Sequence, residues 1–274
     1  MKSRLVVRLA AMALALCAAS AFAGNIKDIR MATTTSTDNS GLLQYLLPKF
    51  EADCKCKIHY TAVGTGAALK LGQNGDVDVV LVHARPAENK FVAAGYGVNR
   101  RDVMYNDFVI VGPASDPAGV KGTHDPLKAL KKIHASGATF VSRGDDSGTN
   151  KKELAYWKSI GIKPGGPHYL AVGQGMGATL TVAGEKGAYT LSDRATYTTY
   201  AAKTGLHILV QGSKKLLNPY GVIAVNPKRY PNINYKGAMT FIKWMTSPRG
   251  QKAIGDYRFK GAQLFHPDYG HPPQ

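Results

Sequence analysis

The order of apolar and polar runs along this chain predicts an α/β protein made of two lobes joined by crossing strands. Short strand-like runs alternate with amphipathic helix-like runs over almost the whole length. No Pro/Ser linker, low-complexity tract or internal repeat cuts the chain into independent domains. Strand-like segments at 105–112 and around 217–225 bracket the central third, which is where strands crossing between two lobes would lie.

Taken in order, 28–32 reads as a strand and 41–47 as a helix. Leu42, Leu43, Leu46, Leu47 and Phe50 fall on one face of that helix, with Asp38, Asn39 or Ser40 as its N-cap. Residues 57–63 form a strand, 67–71 a helix entered through Gly64-Thr65-Gly66, and 77–82 a strand buried in a parallel sheet. A helix over 88–94 closes at Gly95, and Phe108-Val109-Ile110-Val111 marks a strand over 107–112. The 125–134 segment is helical and 139–142 is a strand, after which Thr149-Asn150 caps a helix through Glu153, Leu154, Trp157 and Ile160. A helix over 176–184 follows Gly173-Gln174-Gly175, strands follow at 188–191 and 221–225, and 235–246 and 249–255 are terminal helices.

The first 23 residues read as a cleaved secretory signal peptide. Lys2, Arg4 and Arg8 form the basic n-region, 9–19 the apolar core, and Ala21-Phe22-Ala23 an A-x-A cleavage site. Acylation at Cys17 is disfavoured, because Leu16 is bulkier than the small residue that precedes a lipidated cysteine. No later run reaches the apolar length of a membrane span. The expected product is an exported, soluble chain of residues 24–274, with one lobe taking 24–107 and 220–274 and the other 108–219.

The formal charge is +17, three units of which belong to the leader. Such an excess attracts anions, anionic surfaces or an acidic partner. A secreted nucleic-acid or polyanion binder is therefore a rival reading. Against it, the basic residues occur as scattered pairs such as Arg100-Arg101, Lys131-Lys132, Lys151-Lys152 and Lys214-Lys215, without a basic helix, finger spacing or aromatic RNA-binding motif. Cys54-Lys55-Cys56 has no histidine partners at metal-site spacing and reads as a surface feature open to oxidation in the periplasm.

Two segments carry the chemistry. Thr33-Thr34-Thr35-Ser36-Thr37 and Ser142-Arg143-Gly144-Asp145-Asp146-Ser147-Gly148-Thr149 each follow a strand and precede a helix, so each puts hydroxyls and free peptide N–H groups at a helix start. A tetrahedral dianion must exchange its water shell for such donors, and a guanidinium completes the set. Each segment also has a structural reading: the first as an ordinary N-cap loop, the second with Arg143 paired to Asp145 or Asp146. Gly64-Thr65-Gly66 is a third donor loop or a tight turn, and Gly173 to Gly177 lines a cleft or lets the chain turn. Catalysis is not expected: Ser147 lies in no G-x-S-x-G elbow, and no H-E-x-x-H or P-loop motif occurs. His59, His83 and His168 read as satisfied or exposed histidines, and neither a metal nor a cofactor is expected.

The segments 33–43, 63–66, 100–108, 142–149 and 173–179 resemble the tungstate-binding periplasmic proteins of the Tup type, over nearly the whole mature chain. The resemblance implies a two-lobed, type II-like periplasmic binding protein with a hinge of crossing strands. It further implies a monomer without cofactor that captures tungstate, or its analogue molybdate, for an ABC importer permease. The oxyanion would be held by Thr34, Thr35 and Thr65 on one lobe and Arg143, Ser147 and Thr149 on the other, with Ser36, Gly66, Gly148 and Gln174 as further lining residues. The spacing Arg143-x3-Ser147-Gly148-Thr149 is also similar to periplasmic phosphate receptors, so a phosphate or sulfate receptor of the same fold is the alternative. Those phosphate receptors use a cleft carboxylate to accept the ligand's proton. The corresponding place after the strand 78–82 is His83, which favours an anion with no proton to donate.

Overall fold

The computed structural model describes residues 27–259 and 261–270. The leader 1–23 lies outside them. The chain opens with β1 (Asp28–Thr34), a short α1 (Thr35–Asn39), α2 (Leu42–Cys54), β2 (Lys57–Val63), α3 (Thr65–Asn74), β3 (Val79–Val82) and α4 (Arg85–Ala93). The long β4 (Gly97–Gly112) leads into α5 (Pro126–Ala135), β5 (Phe140–Ser142), α6 (Gly148–Ser159), β6 (Tyr169–Ala171), α7 (Met176–Glu185), β7 (Tyr189–Asp193), α8 (Arg194–Thr204) and β8 (His207–Val210). The return strand β9 (Leu217–Val225) is followed by α9 (Tyr235–Met245), α10 (Pro248–Asp256) and the short strands β10 (Arg258–Phe259), β11 (Ala262–Gln263) and β12 (His266–Pro267).

Two α/β lobes share one long strand. The sheet order is β2-β1-β3-β9-β4-β7-β5-β6, with β8 and β12 also paired to β4. β2, β1 and β3 run parallel, as do β6, β5 and β7. Between these parallel groups β9 and β4 run antiparallel. Up to Asp107, β4 pairs with β9; from Phe108 onward it pairs with β7.

Side-chain alternation on these strands builds an apolar layer on each face of each sheet. In β3, Val79 and Leu81 enter one core while Val80 and Val82 enter the opposite one, so all four are fully buried. In β4, Phe108 and Ile110 pack against α5 and α6 residues such as Ile133 and Trp157, whereas Val109 and Val111 pack against Met176 and Leu180 of α7.

Several boundaries differ from the sequence reading. The polar run after β1 is helical: Thr34 caps α1 by accepting the Thr37 N–H at 3.2 Å. The cap position of α2 is Gly41, in the left-handed region at φ 77°, and no side chain caps it there. A Cβ at that position would meet the Tyr257 hydroxyl at 2.7 Å, so the turn needs glycine twice over. The strand expected at 107–112 begins at Gly97, because Arg100 and Asp102 on it are neutralised by Glu88 and Arg85 rather than left in solvent. Cys54 and Cys56 form a disulfide, and Cys56 belongs to the core rather than to the surface. β6, α8 and β8 had no sequence signal strong enough to place them. No described helix is long and apolar enough to cross a membrane.

Candidate functional site

Both helix-start segments lie at the ends of parallel strands, β1 and β5, and the fold turns those ends toward each other. On the first, Thr34 Oγ1 lies 2.6 Å from Thr37 Oγ1 and 3.1 Å from Ser36 Oγ. All three hydroxyl residues are buried. Thr33, also counted in the hydroxyl run, is turned away and donates to the Leu81 carbonyl at 2.9 Å, so its proton is used within the sheet.

On the second segment, Ser147 caps α6 by accepting the Asn150 N–H at 3.1 Å, which leaves its own hydroxyl proton to donate elsewhere. Thr149 Oγ1 is buried without a hydrogen-bond partner. The segment is anchored from below by Glu153, whose carboxylate accepts from Ser142, Trp157 Nε1 at 2.8 Å and Tyr169 Oη at 2.7 Å. Burial pushes that carboxyl up from its ordinary pKa, against the pull of those donors.

The two segments meet. Arg143 Nη2 donates to Thr35 Oγ1 at 3.3 Å, and the Gly148 N–H donates to Thr65 Oγ1 at 2.9 Å. Arg143 is 2 % exposed, so its guanidinium is a buried cation. Asp145 Oδ2 also engages its Nε and Nη2, at 3.1 and 2.6 Å. The structural pairing and the approach to Thr35 therefore coexist, and neither uses Nη1. The fold brings together Thr34, Thr35, Ser36, Thr65, Arg143, Ser147, Gly148 and Thr149. Gly66 sits at the contact as well, where a Cβ would run into the Asp146 carboxylate. Gln174 is exposed, and its link to the cradle is its peptide N–H, which donates to the Arg143 carbonyl at 3.2 Å.

The floor between the segments is lined by His83, Asn218, Asn106, Tyr220 and Asp193. His83 Nε2 is 3.0 Å from Ser36 Oγ and 3.2 Å from Thr34 Oγ1, and its Nδ1 is 3.1 Å from Asn218 Oδ1. Burial, and then the nearby Arg143 charge, lower its pKa to about 4, so the ring is neutral at physiological pH. Asp193 is buried at the start of α8, where it accepts the Thr196 N–H at 2.8 Å. Its Oδ2 has no partner, and burial pushes its carboxyl up while the Arg143 charge pulls it down. The sequence reading passed over it. Asp193 three residues before Thr196 at a strand end is an N-cap signature, and only the missing α8 assignment hid it.

Beside Gly148 and His83, a crevice of about 710 Å³ opens between α4 and α6. Arg85, Lys90, Lys151, Lys152 and Lys158 line it, giving the crevice a positive field. Among the described residues, no three His, Cys, Asp or Glu side chains gather as a metal-holding cluster.

The PBP superfamily domain matches residues 19–249. The chain is 51 % identical over 244 residues to the tungstate-binding protein TupA of Peptoclostridium acidaminophilum, covering 88 % of this chain and 85 % of that protein. Among solved structures, it is similar to the tungstate ABC transporter protein of Geobacter sulfurreducens, with 57 % identity, a TM-score of 0.78, and 84 % and 98 % of the two chains covered. It is likewise similar to the tungstate-binding protein TupA of Desulfovibrio alaskensis G20, with 51 % identity, a TM-score of 0.76, and 89 % and 99 % covered.

Proposed function

The chain belongs to the PBP superfamily and, within it, to the TupA family of binding proteins, and from that premise we propose that it is a periplasmic receptor that captures tungstate and hands it to an ABC importer. The observation that carries this reading is the meeting of two helix starts around one buried guanidinium, with Arg143 against Thr35, Gly148 against Thr65, and the Thr149 hydroxyl buried without a partner. Thr34, Thr35 and Thr65 on one lobe and Arg143, Ser147 and Thr149 on the other supply the ligand's donors. Ser36, Gly66 and Gly148 line the same space, and Gln174 stays at its rim.

A neutral His83 after β3 gives the site no carboxylate there to accept a ligand proton. A proton-free dianion suits that environment, and molybdate, of the same shape and charge, is the second ligand. The receptor acts as a binding protein and not as an enzyme, as a monomer, with lobes of 24–107 plus 220–274 and of 108–219. Residues 1–23 are the export signal that takes it to the periplasm.

A thermal-shift and calorimetry series on the purified chain tests this. Tungstate and molybdate are expected to raise the melting temperature at micromolar concentration, phosphate to leave it unchanged, and Arg143→Ala to abolish the tungstate shift. Equal protection by phosphate, or unaltered tungstate binding by Arg143→Ala, would overturn the proposal.

A further inference from the structure

His83 is joined to a chain of buried amides that ends in two polar atoms without hydrogen-bond partners. Asn218 Nδ2 lies 2.7 Å from Asn106 Oδ1, and Asn218 Oδ1 lies 3.1 Å from His83 Nδ1. Run in that direction, the chain leaves Asn106 Nδ2 buried and unpaired, and the Tyr220 hydroxyl unpaired as well. It also makes His83 Nε2 a bare acceptor, which uses up a hydroxyl proton of Ser36 or Thr34. Unpaired buried donors are costly, and a hydroxyl that donates to the imidazole cannot donate that proton to an anion.

A half-turn of both amides keeps every contact and reverses each donor. Asn106 Nδ2 then donates to Asn218 Oδ1, and Asn218 Nδ2 donates to His83 Nδ1. The buried Asn106 atom left without a partner is then a carbonyl oxygen rather than an amide donor, the less costly of the two to leave unpaired. The imidazole proton moves to Nε2, among the hydroxyls of Thr34 and Ser36.

We infer that Asn106 and Asn218 are positioning residues that hold His83 with its proton on Nε2, making His83 a neutral donor to the bound oxyanion and freeing the Thr34 and Ser36 hydroxyl protons for the same ligand. The inference rests on the oxyanion reading of this site. Geometry supports it from the other lobe too: a Cβ on Gly148 would meet His83 Cε1 and Nδ1 at 2.9 Å, so the imidazole edge lies against the second helix start. A donor that stays neutral adds a hydrogen bond to the dianion without adding a charge that titrates near neutrality. It also places an N–H where a phosphate receptor places an acceptor, so it rejects a ligand that brings its own proton.

The test reads the tautomer directly. Long-range ¹H–¹⁵N spectra of the uniformly ¹⁵N-labelled protein, with the His83 signals identified by their loss in His83→Gln, report which ring nitrogen carries the proton. A protonated Nε2 and a bare Nδ1 are expected with and without tungstate, between about pH 6 and 8. The Nδ1–H tautomer or an imidazolium would overturn the inference. Calorimetry supplies the second readout: His83→Gln, whose amide N–H reaches the Nε2 position, is expected to bind tungstate at least tenfold more tightly than His83→Leu. Equal affinities of those two variants would also overturn it. The tautomer is read on the unliganded chain, so failure of the parent to bind tungstate would sink the proposed function while leaving this result independently readable.

Discussion

The hydroxyl of Thr65 at the start of α3 accepts the peptide N–H of Gly148 at the start of α6, across 2.9 Å and between two different lobes. Both partners are buried. The contact needs Gly148 to lie flat against His83: a Cβ there would meet the His83 ring at 2.9 Å and its carbonyl oxygen at 3.1 Å. The ring could yield a little, but the carbonyl belongs to the backbone that follows β3 and cannot.

Gly148→Ala is therefore expected to hold the lobes slightly apart while leaving each lobe folded. Tungstate affinity should fall by tenfold or more in calorimetry, since donors on opposite walls reach the anion only when the walls meet. The melting temperature without ligand should stay near that of the parent. Parent-like affinity would mean the ligand is held by one wall.

How much of this was legible in the sequence depends on how far each signal is local. The apolar face of α2 was visible because Leu42, Leu43, Leu46, Leu47 and Phe50 repeat at helical spacing, and all five are buried. The two hydroxyl-rich helix starts were visible because hydroxyls clustered at strand-to-helix junctions. By contrast α8, with the sequence Arg-Ala-Thr-Tyr-Thr-Thr-Tyr-Ala-Ala-Lys-Thr, shows only tyrosines and alanines among threonines, a weak apolar signal. It is held by the Asp193 cap, by Tyr197, Tyr200 and Ala201 in one core with Met176, Leu180 and Ala183 of α7, and by Gly205 at φ 65° as its stop. The first half of β4 was hidden because Arg100 and Asp102 look solvated until Glu88 and Arg85 are brought beside them. The amide chain behind His83 joins residues 83, 106 and 218, a relationship that no local pattern encodes.

Glu153 is the hidden support of the second cradle. Its carboxylate satisfies the Ser142 hydroxyl, Trp157 Nε1 and Tyr169 Oη, with Asn150 Nδ2 at 3.4 Å. Glu153→Leu fills similar space but strands those donors in the interior. A loss of about 3 kcal/mol is expected, read as a lower urea midpoint at unchanged slope. Glu153→Gln, which keeps one carbonyl acceptor, should lose clearly less. Equal losses would show that the volume matters and the hydrogen bonds do not.

Acid should destabilise the fold through His83. Its pKa is 6.5 in the unfolded chain and about 4 when buried, so between those values the unfolded state binds the proton that the folded state refuses. Stability from this residue is fully present above pH 6.5 and is lost as the pH falls toward 4, to a total of about 3 kcal/mol. Asp193 and Glu153 have raised pKa values and act in the opposite sense, so the His83 contribution is read by difference. The stability gap between pH 7 and about pH 4.5 should be smaller in His83→Gln than in the parent. An identical gap in urea titrations at the two pH values would remove His83 as the source.

A ligand that bridges the lobes adds to the hydrogen bonds already made between the walls. Besides the shared strand β4, the hydrogen bonds between the walls include Arg143 to Thr35, Gly148 to Thr65, and Thr196 to the Ser36 carbonyl at 3.4 Å. Each is worth roughly 1 kcal/mol net, a sum that the released motion of two lobes can offset. A dianion that reaches Arg143, Thr149 and Ser147 on one side and Thr34 and Thr35 on the other adds charge-assisted bonds that exist in full only when the walls touch. Its differential affinity for the closed form is what shifts the population. The radius of gyration from small-angle scattering should therefore fall when tungstate saturates the parent protein. It should fall less for Gly148→Ala, whose walls cannot fully meet. Superimposable curves with and without tungstate would mean that the site is already formed in the free protein, with the Thr65–Gly148 contact made before any ligand arrives.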